Sequence, residues 1–174
     1  MPPPDPAWES RSAALWADID RHAPEDFVAL VEALAGELPA GSAVALFERA
    51  CAQDSTGHPD QAVPLYRQAL QSGLTGLRRR RATIQLASSL RNLGDAAAAV
   101  DLLAAELAQP PDELSGAVRG FLALALADSG REREALASSL EALAVCLPRY
   151  NNSLARYAAA LLPGPRAPAG AQDS

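Results

Sequence analysis

Three glycines, Gly57, Gly94 and Gly130, stand 37 and 36 residues apart, and their surroundings recur with them. Seven residues before each glycine is an alanine (Ala50, Ala87, Ala123), and five after it is another (Ala62, Ala99, Ala135). An apolar residue follows each of the latter, as Val63, Val100 and Leu136, and a leucine lies eight beyond the alanine, at Leu70, Leu107 and Leu143. A unit this short cannot enclose a core of its own, so each must bury its apolar face against the next. The glycine supplies the left-handed residue that ends one helix, and the alanines let helices approach closely. The repeat therefore predicts a hairpin of two helices, built three times and stacked.

Composition agrees. Alanine and leucine make up more than a third of the 174 residues, aromatic residues only 5%, and β-branched residues are scarce. Alanine and leucine lose least on entering a helix, and β-branched residues lose more. No apolar run reaches the length of a membrane span, so no membrane partner is expected. Cys51 and Cys146 belong to no paired motif, and the N-terminus has no secretory pattern, which points to a reducing, cytoplasmic setting. The chain has arginine but no lysine, and with its alanine and proline content this fits a GC-rich bacterial genome. Residues 1–77 carry 11 acids against 4 arginines, and residues 78–174 carry 10 against 11. An acidic front half argues against nucleic-acid binding, which needs a basic face to displace counterions.

Breakers divide the chain into helices expected near 7–21, 25–38, 42–55, 60–72, 79–92, 95–108, 114–128, 131–146 and 149–162. Prolines crowd residues 1–6 and 163–174, which are read as disordered tails. One domain over 7–162 is expected. It divides into an atypical helix pair at 7–38, repeats at 43–76, 80–113 and 116–148, and a closing helix at 149–162. Trp8, Leu15, Trp16 and Ile19 share one side of the first helix and suit it to cap the end of a stack. A dimer patch is the other use of such a face.

The sequence is similar to the tetratricopeptide repeat proteins through Ala50…Gly57…Ala62…Tyr66…Ala69-Leu70, Ala87…Gly94…Ala99…Leu103…Leu107 and Ala123…Gly130…Ala135…Ala142-Leu143. The run Arg79–Leu86 with Ser89-Leu90-Arg91-Asn92-Leu93-Gly94 resembles the small stand-alone bacterial group five of that family. The resemblance implies an all-α, right-handed α-solenoid whose first helices line a concave groove. It places Val44, Phe47, Cys51, Asp54 and Ser55 in that groove from the first repeat. From the second come Arg81, Ile84, Ser88, Arg91 and Asn92, and from the third Ala117, Gly120, Leu124, Ala127 and Asp128. Arg81 and Arg91 would offer bidentate donors to a carboxylate, with Ser88 beside them and Asn92 bonding a peptide backbone. Arg149, Asn152 and Arg156 share a face of the last helix beside Tyr150 and Tyr157, read either as a polar cap with tyrosines at its edge or as the basic far wall of the groove. Of the run Arg78–Arg81, Arg78 and Arg79 are read as solvated and Arg80 as paired with a neighbouring helix.

These residues point to a non-catalytic module that binds another protein, or a peptide with an acidic group, at Phe47, Asp54, Arg81, Ile84, Ser88, Arg91, Asn92, Leu124 and Arg156. No cofactor or metal is expected. His22 among Asp18, Asp20, Glu25 and Asp26 reads as a helix boundary, with the acids complementing a helix start. Two other readings stay open. One is a self-associating scaffold, a homodimer formed end to end or through the tryptophan helix. The other is a small-molecule sensor or an enzyme using Cys51 as thiolate, which would need a lowered pKa.

Overall fold

The computed structural model describes residues 4–162; the expected tail at 163–174 and the first three residues of the N-terminal one lie outside them. Nine α-helices follow one another among the described residues: α1 (Pro6–Ala17), α2 (Pro24–Ala35), α3 (Ala43–Ser55), α4 (Pro59–Gln71), α5 (Gly76–Asn92), α6 (Ala96–Leu107), α7 (Ser115–Asp128), α8 (Glu132–Cys146) and α9 (Asn151–Leu161). Each of α3 to α9 packs on its predecessor, and the first helices α3, α5 and α7 also touch one another in series. The result is a layered α-solenoid, and the series α3–α5–α7 is the layer that carries the expected groove.

The three repeat glycines make the same turn. Gly57, Gly94 and Gly130 have φ of +86°, +90° and +72°. In each case the following residue donates its N–H to a carbonyl five back (His58 to Gln53, Asp95 to Leu90, Arg131 to Leu126) at 2.9 Å. This Schellman arrangement satisfies carbonyls that the helix end leaves open. All six repeat alanines are buried, packed with Phe47, Tyr66, Leu103 and Val118 in one continuous core.

Several boundaries differ from expectation, α1 ending at Ala17 and α2 at Ala35, four and three residues early. α1 starts at Pro6, inside the segment read as tail, because Asp5 caps it by accepting from the N–H groups of Ala7 and Trp8 at 2.9 Å. α5 starts at Gly76, three residues early, so the arginine run begins inside the first turn rather than at the helix end.

The tryptophan helix is docked. Trp8 is buried and donates Nε1–H to the Leu34 carbonyl at 2.9 Å. Trp16 stacks edge-on against Phe27, 5.0 Å between ring centroids, and donates Nε1–H to Glu48 Oε2 at 2.7 Å. Its indole face is therefore committed within the chain.

Candidate functional site

On α5, residues 81, 85, 88 and 92 are spaced by four, three and four, so they line one stripe of the helix. Arg81 and Asn92 are exposed, and Gln85 and Ser88 half-buried. Beside this stripe on α7, Leu124 is exposed. Arg156 is exposed on α9, which packs on α8 rather than on α5 or α7.

Other expected groove residues lie beneath the surface. Phe47 is fully buried and Ile84 is 5% exposed. They occupy the same position in successive repeats, and the contact between first helices covers it, so these two side chains are core and not lining. Phe47 lies against Tyr66, and the Arg81 guanidinium stands 5.3 Å above its ring, a cation–π contact. Asp54 is half-buried and accepts from Ser89 Oγ at 2.9 Å and Tyr66 Oη at 3.3 Å. Burial raises its carboxyl above the usual value, against the pull of those two donors. It ties α3 to α4 and α5.

Arg91 is also committed. Its Nε lies 2.6 Å from Asp128 Oδ2, a bridge between α5 and α7. The arginine run departs from the reading of its first two members as solvated. Arg78 donates to both oxygens of Glu9, at 2.8 and 2.6 Å, and to Glu48 at 3.3 Å. Arg79 donates to both oxygens of Glu106, at 2.8 and 2.7 Å. Arg80 is buried, with Nη1 3.4 Å from Glu106 and Nε 3.0 Å from Asp112. Four residues in a row point around a helix, so each meets a different neighbour. Arg81 alone in the run has no carboxylate within ion-pair distance among the described residues.

Glu9, Glu48 and Arg78 escape sequence reasoning. Glu9 comes from α1 and meets Arg78 of α5, and Ser12, Ala13 and Trp16 follow it on the same stripe. With Glu48, Arg78 and Arg81 they enclose a cavity of about 190 Å³. Two larger cavities contain none of the nine expected site residues. One, of about 520 Å³, lies by the N-terminal ends of α3 and α5, and the other, of about 370 Å³, lies among α7, α8 and α9.

Cys51 is buried, with Sγ 3.3 Å from Gln85 Oε1. Burial pushes its thiol up to about 12, so it is protonated at neutral pH. Both access and charge disfavour a thiolate nucleophile there. Among the described residues no group of three or more His, Cys, Asp or Glu is placed to hold a metal ion. No described helix is long and apolar enough to cross a membrane.

The model of a family described as tetratrico peptide repeat, in its group-five form, matches residues 43–161. No curated protein and no solved structure matches the chain.

Proposed function

The chain belongs to the tetratricopeptide repeat family, a non-catalytic protein-interaction fold, and from that premise we propose that it binds an acidic segment of another protein along α5 and α7. Arg81 holds the carboxylate, Ser88 and Asn92 bond the segment's polar groups, and Leu124 contacts its apolar side. Arg156 on α9 is the more distant basic contact. Arg91 is a spacer in this reading, fixing α5 against α7 through Asp128.

The observation that carries the proposal is the difference between Arg81 and its neighbours. Arg78, Arg79, Arg80 and Arg91 each have an acid within the chain. Arg81 is exposed and lies over the Phe47 ring, with no acid within ion-pair distance among the described residues. A guanidinium oriented in advance loses less freedom on gripping a carboxylate. An exposed ion pair still contributes only about 1 kcal/mol or less, so such binding is modest in strength.

The test is affinity capture from the source lysate with wild type beside Arg81→Glu, followed by cross-linking and mass spectrometry. A partner cross-linked through an acidic stretch to α5 or α7, and lost with Arg81→Glu, supports the reading. A partner held equally by both proteins places the site elsewhere.

A further inference from the structure

The repeat places equivalent residues in different surroundings at its two ends. Val63 on α4 and Val100 on α6 are buried, at 7% and 6% exposure, whereas the corresponding Leu136 on α8 is 50% exposed. Leu70 and Leu107 are half-buried, and their counterpart Leu143 is 49% exposed. In the first two repeats the stack continues past these positions. Among the described residues only α9 follows α8, and no helix covers the pair. Tyr150 and Tyr157, at the turn into α9 and on α9, add exposed apolar surface at this end, at 77% and 67%, whereas Val145, nine residues from Leu136, lies on the opposite side of α8. Tyr150 also has φ of +66°, a left-handed conformation unusual for a bulky side chain, at the turn that leads into α9.

The closing segment of this end is basic, while α8 beside it also carries Glu132, Glu134 and Glu141. Residues 147–162 contain Arg149 and Arg156 and no acid. Both arginines are exposed, and neither lies within ion-pair distance of an acid among the described residues. The opposite end has the reverse character. Residues 4–42 carry eight acids against two arginines. Of these, Asp20, Glu25 and Asp26 are exposed without an ion pair, at the start of α2 and just before it. Beyond them on α2, Ala29, Leu30 and Ala33 give an exposed apolar strip.

We propose that the α8–α9 end docks the acidic α2 end of a second copy of this chain, so that the solenoid continues from one molecule into the next. Leu30 of one copy meets Leu136 and Leu143 of the other, and Glu25 and Asp26 meet Arg149 and Arg156. The two surfaces differ, so the contact is heterologous and does not stop at two subunits unless a ring closes. It leaves the α5–α7 stripe open and is independent of the function proposed for Arg81.

The experiment is sedimentation equilibrium of the full chain across a concentration series, at low and high salt. The expected result is growth beyond a dimer with concentration, with association weakened about tenfold by salt that screens the ion pairs. Two variants are each expected to remain monomeric: Arg149→Glu with Arg156→Glu, and Glu25→Arg with Asp26→Arg. Mixing them should restore assembly, because the reversed end of one then fits the reversed end of the other. Arg81→Glu should assemble as wild type does. Circular dichroism checks folding, and Glu25→Gln with Asp26→Asn replaces the second variant in the dissociation arm if the reversal unfolds α2. A monomer at every concentration overturns the proposal, including one in which the chain's own residues 163–174 cover the end. So do a salt-insensitive closed dimer and a mixture that fails to assemble.

Discussion

Arg78 donates to the two carboxylate oxygens of Glu9 at 2.8 and 2.6 Å, joining α1 to α5 across 69 residues of chain. The same guanidinium also reaches Glu48 of α3, which accepts in turn from Trp16 of α1. One arginine therefore ties α1 to both α3 and α5.

The contact is expected to depend on pH. Hydrogen bonding to Arg78 holds the Glu9 carboxyl below its ordinary value. With the folded value the lower of the two, the stabilisation is fully present above the ordinary carboxylate pKa of about 4.3. It is lost as pH falls through the folded value. Acid should release α1, and Glu9→Gln should show the same release at neutral pH, read as faster hydrogen exchange of the α1 amides and a changed Trp16 emission. The cost is about 1 kcal/mol or less, because both side chains keep substantial contact with water. Unchanged exchange in Glu9→Gln would refute the assignment.

Glu106 should be the most costly acid to remove. Its side chain is 2% exposed and receives Arg79 through two hydrogen bonds, with Arg80, itself buried, 3.4 Å away. Its removal takes one partner from buried Arg80, which keeps Asp112 at 3.0 Å, and leaves Arg79 to water, at a cost of about 1–3 kcal/mol. Glu106→Ala is therefore expected to lower the urea midpoint far more than Glu134→Ala, whose partner Arg131 is on the surface. Equal midpoints for the two variants would mean that water reaches Arg80 as well.

The two cysteines are expected to separate cleanly. Cys146 is exposed, while Cys51 is buried with its thiol pushed up to about 12. Intact-mass measurement after alkylation at neutral pH should give one adduct on the native chain and two in denaturant. Two adducts forming at similar rates on the folded protein would reopen the thiol reading.

The hairpins were legible because their signals are local and periodic. A glycine that closes a helix, and an alanine that lets another helix approach, act within one repeat, so the spacing of Gly57, Gly94 and Gly130 is enough to count the units. The stripe of exposed Arg81 and Asn92 with half-buried Ser88 is singled out only by the family resemblance, which assigns positions on a helix but not what covers them. Phe47 and Ile84 were misplaced for that reason: the arc facing the groove adjoins the arc facing the next first helix. The arginine partners were hidden differently. Nothing near Arg78 or Arg79 in sequence signals Glu9 or Glu106, since an ion pair across the stack depends on how whole helices settle. Asp128 is hidden from Arg91 in the same way.

Gly94 offers a direct test of the repeat turn. Its φ is +90°, and a side-chain carbon added there would meet nothing within 4 Å. Alanine at this position therefore loses no space and suffers only the left-handed backbone, a cost of about 1–2 kcal/mol for an L-residue. Gly116 lies in the first turn of α7, also has open space around it, and has no positive φ. Gly116→Ala should be neutral or stabilising, because the substitution only restricts the unfolded chain. Opposite signs in thermal unfolding of the two variants are the expected outcome. A neutral Gly94→Ala would mean that the helix end can relax into another turn, and that the glycine spacing marks something other than a required conformation.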